Sequence, residues 1–189
     1  MAYFLEGPKR VKIHFLVETE ITVSIDEDQA TLKANAEKKA LEISQKTDWY
    51  VIASDGGVDI PGLGDKWDIL RNQRTVGENN SDKEKVRILI GLMDGLKGED
   101  RRCRYRLALA LARKGQLLWS FEDISDVGYI VEKPEDFPIL PYRWMSHVWY
   151  YPQYEKTLDQ LDETERKEIR RQGDQIKKEL RRYLKEITF

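Results

Sequence analysis

The chain has 189 residues, of which 40% are apolar and 35% are charged, a composition typical of a soluble globular protein. Its 32 basic and 34 acidic side chains give a formal net charge of −2, which argues against a protein that coats nucleic acid. The single cysteine, Cys103, excludes an internal disulfide, and no apolar run is long enough to span a membrane. We therefore expect one cytoplasmic domain over residues 1–189, with neither a membrane nor a nucleic-acid polymer among its partners.

The first half of the sequence alternates strand and helix signals. The apolar run 2–5 predicts a short strand, and Pro8 suits the first turn of a helix. Residues 21–25 alternate apolar and polar side chains, as half-buried strands do. Thr31 is a suitable N-cap for a second helix, and the continuous apolar run 49–53 predicts a strand that is covered on both faces. This half therefore predicts the order β-α-β-α-β.

The second half predicts a loop, a helix, a set of strands and a long final helix. Turn residues dominate 61–80, and Ser81 with Glu84 forms a capping box at the start of the next helix. The aromatic stretch 144–151 precedes a charged helix that runs from about Asp162 to the end. An antiparallel meander is predicted over Tyr105–Ala112, Leu117–Phe121 and Val127–Glu132, although the first run would also suit a helix. The fold class is therefore mixed α/β.

Two acidic residues stand where chemistry is expected. Glu27 and Asp55 each follow a strand-like run, and Asp55 precedes two glycines where we expect its strand to end. Carboxylates on one rim of a sheet can hold Mg²⁺, and one of them can activate water. Lys9, Arg10 and Lys39 supply cations for phosphate groups. Because the chain has 34 acids, their chance occurrence at strand ends is the alternative at this point.

The other reactive residue types have ordinary structural explanations. His14 and His147 show no spacing typical of a metal site or catalytic triad, and Cys103 is expected to be an inert thiol. The basic run 166–182 contains interleaved acids, which is typical of a solvated helix. The aromatic residues of 144–151 either stack on a base or belong to the core, and the sequence leaves this open.

Four stretches, with their order and spacing, are similar to the motifs of one family. Residues 31–40 resemble Thr-Phe-x-Glu-Asn-Ala-x-x-Lys-Ala, and residues 53–58 resemble Ala-Asp-Asp-Ser-Gly-Leu. Residues 101–105 are similar to Arg-Arg-Ala-Arg-Phe, and residues 156–161 to Lys-Thr-Phe-Ala-Glu-Leu. The chain therefore resembles the Ham1-like family, the inosine and xanthosine triphosphate pyrophosphatases.

This resemblance implies a fold, an activity and a cofactor. The fold is the ITPase-like (Maf/Ham1) fold, an elongated mixed sheet flanked by helices, with a cleft between two lobes. The activity is hydrolysis of a nucleoside triphosphate, such as a non-standard purine nucleotide, to the monophosphate and pyrophosphate with Mg²⁺. Carried over by position, Glu27 and Asp55 bind the metal, Asp55 activates water, and Lys39 is a catalytic, phosphate-binding cation. The resemblance also implies a homodimer.

The family motifs that contact the substrate are altered in this sequence. By resemblance, the substrate-binding residues are Arg10, Lys39, Lys156, Arg166 and Arg171. Ser54 replaces the first acid of the Asp-Asp pair, and the base-binding motifs are not recognisable. We therefore expect an altered base preference. The alternatives are a family member that binds a nucleotide or phosphorylated ligand without turnover, and a purely structural or partner-binding protein.

Overall fold

A five-stranded sheet, six α-helices and four short 3₁₀ helices make up the regular structure of the described chain. The computed structural model describes residues 12–136, 138–171 and 174–186. The strands are β1 (Val51–Asp59), β2 (Arg102–Arg113), β3 (Gln116–Ile130), β4 (Trp149–Tyr151) and β5 (Lys156–Thr157). The α-helices of these residues are α1 (Leu32–Ser44), α2 (Asn72–Thr75), α3 (Asp82–Leu92), α4 (Trp144–Val148), α5 (Glu163–Arg170) and α6 (Asp174–Glu186). None of them is long and apolar enough to cross a membrane.

The strands follow one another in the sheet in sequence order, β1-β2-β3-β4-β5. The pairs β3–β4 and β4–β5 are antiparallel, with Tyr150 opposite both Tyr129 and Thr157. The predicted run of sequential strands is present in part, as β2 followed by β3, and the mixed α/β class is confirmed. The run 107–112, which would also suit a helix, lies in β2.

Contacts within the chain separate two compact units. Unit 1 comprises the described residues of Met1–Gly56, Leu107–Asp123 and Gly173–Phe189, and unit 2 comprises those of Gly57–Arg106 and Ile124–Gln172. The expectation of a single domain over residues 1–189 stays a prediction.

Each unit has its own apolar core. In unit 1, Ile176 and Leu180 of α6 are fully buried in one cluster with Leu109 of β2. In unit 2, the predicted inner face of α3 is buried at Val86 and Leu89. Burying an aliphatic side chain of this size stabilises a fold by about 1.5–3 kcal/mol. These two clusters therefore hold α6 within unit 1 and α3 within unit 2.

The N-terminal part differs from the expected pattern. The run 2–5 and Pro8 lie outside the described residues, and residues 16–18 form a short 3₁₀ turn where a helix is predicted. Over 21–25 the apolar side chains are half-buried and the polar ones are exposed, but these residues form no strand. Alternation determines which side chains face the protein, whereas a strand also needs a hydrogen-bonded neighbour. The prediction of a strand at 21–25 is therefore wrong.

Strand β3 is one strand of 15 residues where the sequence predicts two. The polar residues Glu122 and Asp123 suggest a break, but a β-ladder is built from main-chain groups and continues through polar side chains. The turn that does occur is at Lys114 and Gly115, with φ of 50° and 73°. Both values lie in the left-handed region that two-residue hairpin turns require.

Two further boundaries in the second half differ from the prediction. The aromatic stretch 144–151 forms α4 followed by β4, and the single final helix is two helices, α5 and α6. Gly173 stands between α5 and α6 in the sequence, and glycine is a poor helix former. The aromatic side chains Trp144, Trp149 and Tyr151 are buried, which favours the core interpretation of this stretch over base stacking.

Arg101 is buried, although it begins the basic cluster 101–106 of the sequence. Only 5% of the residue is exposed. Its guanidinium donates to the carbonyl oxygens of Met93 and Leu96, just beyond the end of α3, and to those of Ile130 and Val131 at the end of β3. A buried cation with hydrogen bonds to several carbonyls replaces much of the solvation it loses. Arg101 therefore links α3 to β3 within unit 2.

Asp126 of β3 is a partly buried acid in the same unit. Its Oδ2 accepts a hydrogen bond of 2.6 Å from the hydroxyl of Tyr151. Burial raises the pKa of Asp126 to about 6, although this hydrogen bond and one from the Val127 amide oppose the change. Burial, with the charge of Asp126, also raises the pKa of the Cys103 thiol, as expected for an inert cysteine.

The raised pKa of Asp126 predicts a pH-dependent loss of stability. The folded state holds the proton more tightly than the unfolded chain, so the free energy of unfolding falls as pH rises from about 4 to about 6. The rise in the pKa of Asp126 from its ordinary value to about 6 corresponds to a fall of about 2–3 kcal/mol in the free energy of unfolding. We expect Asp126→Asn to remove this part of the pH dependence in urea unfolding at pH 4 and pH 7. The exposed Asp48→Asn is the control, and parallel pH profiles of Asp126→Asn and wild type would contradict the prediction.

Candidate active site

Helix α1 carries three polar side chains on one edge. Thr31 caps the helix, because its hydroxyl oxygen accepts a 3.0 Å hydrogen bond from the amide of Ala34. The helical spacing of three and four residues places Asn35, Lys38 and Lys39 along one side. On the adjacent face, Ala36 and Ala40 are fully buried. The cap and the apolar stripe thus determine which way the polar edge faces.

The polar edge of α1 holds the acidic segment 26–29. Lys38 Nζ donates to the carbonyl oxygen of Asp26 at 3.0 Å and to Oδ1 of Asp28 at 2.8 Å. The amide of Gln29 donates to Oδ1 of Asn35 at 3.0 Å. Segment 26–29 has no regular secondary structure. Its hydrogen bonds therefore come from the side chains of α1 and not from a neighbouring strand.

Lys39 joins the two acids that the sequence singles out. Its Nζ lies 2.7 Å from Oε1 of Glu27 and 3.0 Å from Oδ1 of Asp55. The side chain of Lys39 is 19% exposed and that of Asp55 is 11% exposed, whereas Glu27 is 56% exposed. The three residues are far apart in sequence and lie together in unit 1. The structure thus brings together the acids and the lysine at one partly open position.

Glu27 and Asp55 keep the side chain of Lys39 positively charged. Burial lowers the pKa of Lys39, but the hydrogen bonds and charges of Glu27 and Asp55 outweigh burial and raise it above its ordinary value. Lys39 is therefore a cation throughout the neutral range. Because the pKa of Lys39 is raised on folding, the stabilisation that its charge gives is present at neutral pH and is lost as the solution becomes strongly alkaline.

Asp55 lies inside β1 rather than at its end. The sequence predicts a break at 54–57, but β1 continues to Asp59 through both glycines. Gly57 is buried, and a Cβ there would overlap the carbonyl oxygen of Ile69. Gly57 therefore permits close approach of the segment around Ile69, and neither glycine ends the strand.

The oxygen atoms of Glu27 and Asp55 are suitable ligands for a divalent cation. Mg²⁺ in phosphate-processing enzymes is commonly held by one or two carboxylates, with water and substrate phosphates as further ligands. In the described part of the chain, no group of three or more acidic, histidine or cysteine side chains could form a complete metal cage. Two carboxylates fit an ion whose remaining ligands are water and substrate phosphates.

The remaining predicted substrate contacts are in unit 2 or outside the described residues. Lys156 forms a 2.7 Å ion pair with Glu165. Arg166 donates to the carbonyl oxygens of Leu161 and Asp159, and Arg171 is exposed at the end of α5. Arg10 lies outside the described residues. Contact of these four residues with a substrate stays a prediction.

Comparison with known proteins agrees with the motifs in the sequence. A sequence model described as the Ham1 family matches residues 2–181. The chain belongs to the Ham1 family. A dITP/XTP pyrophosphatase of Bacillus licheniformis is 30% identical over 171 residues, covering 90% of this chain and 85% of that protein. A dITP/XTP pyrophosphatase of Bacillus subtilis is 28% identical over 90% of this chain and 84% of that protein.

Solved structures of Ham1 proteins share the fold. A nucleoside-triphosphatase, dITP/XTP pyrophosphatase of Mycobacterium abscessus has a TM-score of 0.69 at 20% identity, covering 93% of this chain and 88% of that chain. A Ham1 protein of Coxiella burnetii has a TM-score of 0.68 at 22% identity, covering 91% and 90% of the two chains. At these identities the likeness supports the fold alone.

Asn35 also belongs to the site, although it is not among the site residues that the sequence predicts. It is 2% exposed, and its Nδ2 donates to Oδ2 of Asp55 at 3.1 Å while its Oδ1 accepts from the Gln29 amide. One buried amide thus fixes both Asp55 and the acidic segment. The spacing of Asn35 four residues before Lys39 is the sequence signal that points to this position.

Proposed function

We propose that this Ham1-family chain is a nucleoside triphosphate pyrophosphatase. It hydrolyses a nucleoside triphosphate, such as a non-standard purine nucleotide, between the α- and β-phosphates to the monophosphate and pyrophosphate. The observation that carries the proposal is the contact of Lys39 with both Glu27 and Asp55. The names of the two Bacillus relatives, dITP/XTP pyrophosphatase, support the same reaction class.

Asp55 is the proposed base. Its carboxylate is held at one oxygen by Asn35 and at the other by Lys39, so its orientation is fixed before a substrate binds. A carboxylate in this position can orient a water molecule and accept its proton as the oxygen attacks the α-phosphorus. Positioning of this kind is a main source of rate enhancement in phosphoryl transfer.

Lys39 and a divalent cation supply the positive charge that the phosphates need. We propose that Glu27 and Asp55 hold Mg²⁺, which when bound neutralises phosphate charge. The Lys39 ammonium binds a phosphate oxygen and stabilises the charge that develops on it. Arg10, Lys156, Arg166 and Arg171 are proposed as further contacts to the nucleotide. The homodimer and the cytoplasmic location stay predictions.

A panel of triphosphates tests this function. We expect pyrophosphate release, with Mg²⁺ or Mn²⁺, from at least one member of a panel of standard and deaminated purine and pyrimidine triphosphates. Release of inorganic phosphate alone would contradict cleavage between the α- and β-phosphates. Tight nucleotide binding in calorimetry without any hydrolysis would favour the alternative, a family member that binds nucleotide without turnover.

A further inference from the structure

Lys39 contacts the same oxygen atoms that would hold a divalent cation. Its ammonium nitrogen lies within hydrogen-bond distance of Oε1 of Glu27 and Oδ1 of Asp55 at the same time. A cation bound by these two carboxylates would stand close to that nitrogen. Two positive charges at such a distance repel each other, and each needs the same lone pairs.

We propose that Lys39 is an internal substitute for the divalent cation, and that the cation binds only when the ammonium leaves Glu27 Oε1 and Asp55 Oδ1. The inference rests on the proposed function only in taking these carboxylates as the metal ligands. It gives Lys39 a role before the substrate arrives, in addition to its proposed contact with phosphate.

The surrounding contacts allow this exchange without loss of the site. Asn35 holds the other oxygen of Asp55, and Lys38 holds the acidic segment through Asp26 and Asp28. Neither contact involves Lys39. The lysine has a flexible four-carbon stem, so its ammonium can move while the backbone of α1 stays in place. The Asp55 carboxylate therefore keeps a partner when the ammonium departs, and the segment that carries Glu27 stays attached to α1.

The exchange couples the cation to the nucleotide. A nucleoside triphosphate supplies phosphate oxygens that can accept the displaced ammonium. The nucleotide then removes the competitor for Glu27 and Asp55, and the cation in turn frees Lys39 for the phosphates. Such coupling is reciprocal, because each ligand raises the affinity for the other by the same factor. The cation alone is therefore expected to bind weakly.

Calorimetric titration with Mn²⁺, in the absence of nucleotide, tests the inference. We expect Lys39→Met to bind Mn²⁺ about tenfold more tightly than wild type. The two hydrogen bonds of the Lys39 ammonium no longer compete with the cation for the oxygens of Glu27 and Asp55. Lys33→Met is the matched control, since it removes a cation of the same helix that is 47% exposed and lies 3.9 Å from Glu37 instead. The control is expected to change the Mn²⁺ affinity by less than about twofold, as for a partly screened surface charge. Adding Asp55→Asn to Lys39→Met is expected to abolish the gain.

The outcomes separate the inference from its alternatives. Unchanged or weaker Mn²⁺ binding by folded Lys39→Met overturns it, and equal tightening by Lys33→Met overturns it as a general charge effect. Should Lys39→Met fail to fold, the ammonium NMR signal of Lys39 in the wild type gives a second measurement. That signal is expected to shift on saturation with Mg²⁺, and an unchanged signal overturns the inference. Because neither measurement uses turnover, failure of the triphosphate panel alone overturns the proposed function and leaves this result intact.

Discussion

Asp55→Asn is expected to slow pyrophosphate release by about a hundred- to ten-thousand-fold, the usual contribution of a general base. Asparagine has nearly the same size and shape, but it cannot accept a proton from water at neutral pH. It also removes one of the two negative charges that hold Lys39. The measurement is the steady-state rate of pyrophosphate release at saturating substrate and metal.

The control for this prediction is Asp48→Asn. Asp48 is also in unit 1, but its side chain is 84% exposed and forms a 3.3 Å ion pair with Lys114. An exposed pair of this kind contributes little to stability, so we expect activity and unfolding temperature close to wild type. If Asp55→Asn retained nearly full activity while folded, Asp55 would not be the base.

Arg101→Met is expected to lower the free energy of unfolding by about 3 kcal/mol or more, the range found when a buried charged partner is removed. Methionine fills much of the space but donates no hydrogen bond. The four carbonyl oxygens that Arg101 contacts then lose a donor where solvent has little access. For a chain of this length the loss corresponds to a fall of about 10 °C in the unfolding temperature.

The neighbouring arginine provides the matched control for Arg101. The side chain of Arg102 is 49% exposed and lies 3.6 Å from Glu99. We expect Arg102→Met to change the free energy of unfolding by less than about 0.5 kcal/mol, as for most exposed ion pairs. Denaturant unfolding of both variants measures the difference. Equal effects of the two substitutions would contradict a specific role for the buried guanidinium.

Local signals in the sequence predict the capped helices well. The Thr31 cap of α1 and the capping box of Ser81 and Glu84 at α3 are both present in the structure. Each depends on residues within one turn of the helix, so no distant contact is needed to specify it. The predicted strand at 21–25 is wrong, and so is the predicted break between Leu117–Phe121 and Val127–Glu132, because strand pairing depends on partners elsewhere in the chain.

The candidate active site is predictable only in part. The resemblance to Ham1 motifs selects Glu27, Lys39 and Asp55, and the structure brings them together. The role of Asn35 follows from its hydrogen bonds to Asp55 and to the Gln29 amide, which spacing alone does not give. Whether Glu27 and Asp55 bind a metal stays a prediction.

The sequence by itself determines the family, the capped helix α1 and the edge on which Asn35 and Lys39 lie. These features follow from short-range propensity and helical periodicity, which each segment carries with it. Only the tertiary structure decides that Lys39 bridges Glu27 and Asp55, and that Arg101 is buried while its neighbour is exposed. Such contacts and burial join residues far apart along the chain, so they exist only once the chain has folded.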